Sequence, residues 1–100
     1  MQKPIPLRTL LTLSAEVDGK TTDYTCTTVG YGRYGLQVTL PQVLDRVYSL
    51  PATTRLHCSF VSMSTNQLLA FSSYVMGYER TEPPLMVIAM CTPSIPRAGS

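Results

Sequence analysis

The residues that could carry acid–base or nucleophilic chemistry in this 100-residue chain are few and poorly placed for it. The single histidine, His57, directly precedes Cys58, and consecutive side chains on a strand point to opposite faces. These two residues therefore cannot form with each other the nucleophile–base pair that acyl transfer needs. Glu79 and Glu82 flank a predicted turn, where we expect a solvated pair rather than the facing carboxylates of a glycosidase. The sequence predicts no catalytic residues, and we do not expect an enzyme.

A segment rich in glycine and tyrosine, GYGRYG at residues 30–35, is the other candidate for chemistry. It lacks the Lys-Ser/Thr pair and the strand-to-helix context of a phosphate-binding loop, so its glycines indicate a turn with a bulge or sharp bend nearby. Tyr31, Arg33 and Tyr34 could alternatively stack on a base or on a partner's side chain. We therefore take these three as candidate ligand-binding residues.

The cysteine and histidine content argues against a metal centre. Cys26, Cys58 and Cys91 are odd in number and form no CxxC pair, and His57 alone cannot complete a zinc site. Each cysteine falls inside a predicted strand, where a reduced, buried thiol behaves as a small hydrophobic side chain. The sequence predicts neither a metal site nor a cofactor.

Charge and hydropathy exclude further classes of protein. The formal net charge is +2, and the eight Lys and Arg residues are scattered singly, whereas a phosphate-binding surface would cluster them. No stretch has the length of a membrane span, and no signal peptide precedes the first strand. We expect a cytoplasmic protein, and its charge gives no support for nucleic-acid binding.

The elements that position the candidate residues are short stretches of alternating apolar side chains, separated by turn signals. Asp18-Gly19 lies between two such stretches and is a strong hairpin signal, and residues 64–67 and 81–84 separate two further pairs. The alternation predicts strands over residues 7–17, 20–31, 33–40, 55–63, 67–79 and 85–91. In residues 42–51 the apolar side chains fall near helical spacing, but Val, Tyr and Ser form helices poorly, so this segment predicts a loop with at most a short helix.

These elements predict an all-β fold: a small antiparallel split barrel of six to seven strands with at most one short helix, because closure removes exposed strand edges. Residues 1–6 form an extended lead-in, residues 7–92 one barrel domain, and residues 93–100 a tail or interdomain linker. Shared parity within the strands predicts one core, made of Leu11, Leu13, Leu36, Val38, Phe60, Phe71, Val75, Val87 and Ala89.

The order of these features resembles the amino-terminal PilZN domain of bacterial flagellar-brake proteins, which precedes a cyclic-di-GMP-binding PilZ domain. Three segments follow the opening hairpin and carry the resemblance: RYGLQVTLP, LPATTRLHCSFVS, and AFSSYVMGYERTEPPLMVIAMCTPSIPR. The last of these holds the F-x-S-x-V-x-G strand and the closing P-x-I-x-R of such domains. The resemblance covers residues 7–97.

The resemblance implies a regulatory interaction module of a cyclic-di-GMP signalling protein that controls motility, docking on a PilZ domain or a flagellar motor component. The family holds the nucleotide with an Arg-x-x-x-Arg linker and an Asp/Asn-x-Ser-x-x-Gly motif, and this sequence contains neither. Arg97 stands where that linker begins and is the fourth candidate ligand-binding residue. Cyclic-di-GMP is therefore expected to act only through a longer chain or a partner.

Two other interpretations remain open from the residues. A glycine-rich turn followed by an apolar strand also occurs in PilZ barrels, so the chain could be a degenerate PilZ adaptor. A small barrel could instead bind single-stranded nucleic acid, with stacking surfaces from four tyrosines and charge from three arginines: Tyr24, Tyr31, Tyr34 and Tyr74, and Arg33, Arg46 and Arg55. The small net charge counts against this second alternative.

Overall fold

Eight β-strands make up the regular structure of residues 5–90 and 92–95, which are the residues that the computed structural model describes. Within those residues there is no helix, and hence none long and apolar enough to cross a membrane. The strands are β1 Leu10–Val17, β2 Lys20–Tyr31, β3 Leu36–Thr39, β4 Gln42–Val43, β5 Arg46–Val47, β6 Arg55–Val61, β7 Leu68–Glu79 and β8 Leu85–Ile88.

Six of the strands close into an antiparallel barrel in the order β1-β6-β7-β8-β3-β2, and the pairing of β1 with β2 completes the ring. The remaining two, β4 and β5, form a small hairpin that joins the outer edge of β2 through the pair Thr25 and Gln42. The predicted all-β antiparallel barrel is confirmed. The β4–β5 hairpin stands where the sequence predicted a loop.

The turn chemistry of the first hairpin follows directly from its sequence. Asp18 and Gly19 have φ angles of 54° and 79°, and two central residues with positive φ match the right-handed twist of the flanking strands. The two other predicted hairpins are also present, since β6 pairs with β7 and β7 with β8. The predicted bulge occurs in β2, where the register shifts between Thr28 and Gly30.

The barrel interior contains most of the predicted core. Seven of the nine predicted residues are buried: Leu11, Leu13, Leu36, Val38, Phe60, Phe71 and Val75. The prediction for β8 was wrong, because Val87 and Ala89 are only half-buried and their neighbours Met86 and Ile88 are fully enclosed. The register explains the correction: Met86 pairs with Val38 and Ile88 with Leu36, and residues directly opposite each other share a face.

Two tyrosine hydroxyls hold irregular segments against the barrel by hydrogen bonds to their backbone. The Tyr31 hydroxyl accepts a hydrogen bond from the Ile5 amide at 2.8 Å and donates one to the Ile5 carbonyl at 2.6 Å. The Tyr78 hydroxyl makes the same pair of bonds with Leu50, at 2.6 and 2.7 Å. Ile5 and Leu50 are both buried. Each tyrosine thus satisfies the backbone of a residue whose side chain completes the core.

Candidate functional site

The predicted ligand-binding residues lie at the end of β2 and in the loop that leads to β3. The Tyr31 hydroxyl is engaged with Ile5, and its ring is half-buried. The Arg33 guanidinium carbon lies 5.8 Å from the centroid of the Tyr34 ring, and 73% of Tyr34 is exposed. The structure thus brings Arg33 and Tyr34 together as an exposed cation–aromatic pair. Arg97 lies outside the described residues.

A shallow groove of about 360 Å³ lies beside this pair. We call it the tyrosine groove; its walls are Gly32, Tyr34, Met76, Gly77, Tyr78, Glu79 and Val87. The Gln37 side-chain amide donates hydrogen bonds to both carboxylate oxygens of Glu79, at 3.0 and 2.8 Å. A fixed carboxylate beside an exposed ring suits a cationic or planar group. Sequence reasoning missed Glu79 here, because only the pairing of β7 with β8 and of β8 with β3 brings it to Gln37.

A second surface lies on the outer face of β1, β6 and β7, at the end of the barrel where Val61 pairs with Leu68. Leu10 is 63% exposed, Val61 50% and Leu68 52%. Two flanking residues extend the patch, since Leu7 and Met63 are also exposed. We call these five residues the apolar row.

The apolar row forms one side of an open groove of about 550 Å³. Hydroxyl side chains supply most of the remaining lining: Thr9, Thr12, Ser59, Ser62 and Ser64. Arg8 is the one charged residue among those that line this groove in the described part of the chain. Exposed apolar side chains gathered on one face, rather than scattered singly, are typical of an interaction site.

The opposite end of the same three strands is polar. Ser14 of β1 pairs with His57 of β6, which pairs with Ser72 of β7, and the Ser14 hydroxyl donates to the Asp23 carboxylate at 2.6 Å. His57 is exposed and Cys58 is buried, so their side chains point to opposite faces as predicted. No group of histidine, cysteine and carboxylate side chains suited to a metal ion occurs among the described residues.

The cysteines that the structure describes lie inside the barrel. Cys26 and Cys58 are both buried, which confirms the prediction for these two, whereas Cys91 is outside the described residues. Burial raises the pKa of the Cys26 thiol from 9.0 to about 12. Because the thiolate is the nucleophile and the metal ligand, this environment keeps Cys26 unreactive at neutral pH.

The fold defines a small antiparallel β-barrel protein with an exposed apolar surface. The model of the family PilZNR, described as flagellar protein YcgR, matches residues 9–90. The chain therefore belongs to this family, and the resemblance seen in the sequence is confirmed.

A solved structure supports the fold independently. The structure of the Bacillus subtilis inhibitor of motility (MotI/DgrA) is similar to this chain with a TM-score of 0.81 and 15% sequence identity. The similarity covers 95% of this chain and 48% of that protein, so the chain spans about half of its length. Comparison with the curated proteins gives no match.

Proposed function

We propose that this chain is a non-enzymatic regulatory module of a bacterial cyclic-di-GMP signalling protein that controls motility. It acts in the cytoplasm by docking on a PilZ domain or on a component of the flagellar motor. Two findings support this role: the matching family is described as a flagellar protein, and the similar solved structure is that of a motility inhibitor.

The observation that carries the proposal is the exposure of the apolar row. A strand needs apolar residues on its inward face, and its outward face can be polar, as Ser14 and Ser72 show at the other end of these strands. Leu10, Val61 and Leu68 depart from that pattern together. Covering three half-exposed aliphatic side chains releases roughly 25 cal/mol for each Å² removed from water, which favours a protein partner.

Cyclic-di-GMP enters this proposal only through a longer chain or a partner. A ligand with two phosphates calls for convergent cationic donors, and bidentate arginines are the usual solution. The Arg33 guanidinium lies 5.8 Å from the centre of the Tyr34 ring, and this exposed pair suits contact with a flat ring or a side chain. The role of Arg97 at the border of a nucleotide site belongs to the same proposal.

The test is direct binding. The chain is titrated with a PilZ domain and with the cytoplasmic part of a flagellar motor protein from the same organism, and its expression is scored for swimming in soft agar. We expect micromolar binding to one of the two partners and a change in swimming. If both partners fail to bind and swimming is unaltered by expression, the proposed function is wrong.

A further inference from the structure

We propose that the apolar row receives the apolar face of an amphipathic helix whose polar flank is acidic. This inference rests on the proposed docking function and names the chemistry of the partner segment. Three features support this inference: the shape of the row, the strand pairing already made beside it, and the charge of its groove.

The row has the dimensions of two helical turns. Leu10, Val61 and Leu68 stand on three neighbouring strands, and adjacent strands lie about 4.8 Å apart. The outer two strands are therefore roughly 10 Å apart, close to two turns of a helix at about 5.4 Å per turn. A helix laid across the strands would set the apolar residues of its i, i+4 and i+7 positions against the three side chains in turn.

Strand addition does not fit this place in the barrel. β6 pairs with β1 on one side and with β7 on the other. On β7, Ala70 pairs with Ser94 across its outer edge, with both backbone hydrogen bonds at 2.8 Å. A partner strand needs unpaired backbone groups at an edge, and those of Ala70 are already used. The row therefore presents its side chains to a partner, which is how an amphipathic helix binds in an apolar groove.

Charge selects an acidic helix. Arg8 lines the groove together with neutral hydroxyl residues, and no carboxylate lies among the residues that line it in the described part of the chain. The Arg8 backbone has a φ of 62°, and its amide donates a hydrogen bond to the Thr28 carbonyl at 2.8 Å. This bond holds the Arg8 backbone against β2. The tyrosine groove carries Glu79 instead. An acidic segment is thus attracted to one surface and repelled by the other.

Two synthetic peptides serve as probes. Both have leucine at positions i, i+4 and i+7 and are long enough, at about 16 residues, to form a helix; the flanks are glutamate in one and lysine in the other. We expect the chain to bind the glutamate peptide about tenfold more tightly than the lysine peptide, a difference of about 1.4 kcal/mol. Arg8→Glu should reverse this order. Equal affinity for the two peptides would overturn the inference.

A matched pair of substitutions locates the binding surface. Leu68→Thr removes part of the row, and Val47→Thr on β5 changes an apolar side chain of similar exposure, 53% against 52%, outside both grooves. We expect Leu68→Thr to weaken the glutamate peptide about tenfold and Val47→Thr to leave its affinity unchanged. Thermal unfolding of each variant shows that it is folded. Equal loss in both variants would place binding elsewhere and overturn the inference.

Binding of the PilZ domain and the flagellar motor protein distinguishes this inference from the proposed function. If a PilZ domain or motor protein binds the wild-type chain and Leu68→Thr equally well, the docking function stands and the helix inference fails. If the glutamate peptide binds through Leu68 while both partner proteins fail to bind, the helix site stands and the proposed partners are wrong.

Discussion

Leu10 and Leu11 are adjacent and identical in type, yet they belong to different regions of the molecule. Leu11 is completely enclosed in the barrel, whereas 63% of Leu10 is exposed on the apolar row. The same contrast separates Phe60 from Val61 on β6. Burying an aliphatic or aromatic side chain contributes about 1.5–3 kcal/mol to folding, and an exposed one contributes far less. One face of each strand therefore supplies stability, and the other carries the exposed apolar side chains that we propose for docking.

The largest effect that tests this contrast is the loss of an inward aromatic ring. Phe71 packs edge-on against Phe60, with ring centroids 6.5 Å apart, and we expect Phe71→Ala to lower the free energy of unfolding by about 3–5 kcal/mol. Leu68→Ala on the same strand should cost less than about 1 kcal/mol, because the side chain is half-exposed. Urea unfolding of both variants measures this. Similar losses would show that the apolar row is structural.

A smaller loss of stability is expected from adding a methyl group at Gly35, where the backbone is closely packed. A Cβ added at Gly35 would collide with the backbone carbonyl of Ile88, which cannot move without shifting β8. We expect Gly35→Ala to destabilise the fold by about 1–3 kcal/mol. Gly32→Ala is the control, since its Cβ would be 3.4 Å from the flexible side chain of Gln37. A neutral Gly35→Ala in urea unfolding would contradict the close packing of β3 against β8.

The buried Cys26 thiol should make the free energy of unfolding depend on pH. The folded-state pKa of Cys26 is about 12 against an ordinary value of 9.0, so the unfolded chain loses this proton first. The stabilisation is complete below pH 9 and is lost as pH rises toward 12. From about pH 8 to about pH 10 the free energy of unfolding should fall by about 1.4 kcal/mol through this thiol.

Cys26→Ala is the control for that pH effect. Its unfolding free energy should fall by about 1.4 kcal/mol less than that of the wild type over the same range, as measured by urea unfolding at each pH. Parallel pH profiles for the two proteins would show that the thiol is solvated, and fast labelling of Cys26 at neutral pH would show the same.

The smallest expected effect is none at all. Calorimetric titration of the isolated chain with cyclic-di-GMP should give no heat above background, because tight binding of two phosphates calls for convergent arginines and the Arg33 guanidinium lies beside the Tyr34 ring. Arg33→Ala should be indistinguishable from the wild type in this experiment. Micromolar binding that disappears in Arg33→Ala would assign ligand recognition to the GYGRYG loop, as in a degenerate PilZ barrel.

Local signals made most of the fold predictable. Asp18-Gly19 specifies its turn by itself, and the alternation in β6 correctly predicted that Phe60 faces inward. The prediction failed in β8, where apolar residues occupy both faces and only the pairing with β3 selects Met86 and Ile88. It also failed to predict the β4–β5 hairpin, whose paired strands are two residues each, too short to show a period.

The candidate surfaces were less accessible to sequence reasoning than the fold. Leu10, Val61 and Leu68 lie in three separate strands, and only the register of β1, β6 and β7 makes them neighbours. The aromatic and cationic residues of the GYGRYG segment were recognisable because they are contiguous. Glu79 was not, since its bond to Gln37 joins residues that are far apart in the chain. Surfaces assembled by pairing require the register, which no local pattern supplies.

The closure of the barrel also has a consequence for how the domain folds. β1 and β2 are joined by a two-residue turn, but β1 meets β6 at Ala15 and Leu56, and β3 meets β8 at Leu36 and Ile88. Contacts between residues so distant in sequence slow the search for the native topology, and barrels of this kind fold on the order of milliseconds to seconds. Until β6 arrives, the outer edge of the first hairpin is open to other chains. These two long-range pairings, β1 with β6 and β3 with β8, should therefore set both the folding rate and the risk of aggregation during synthesis.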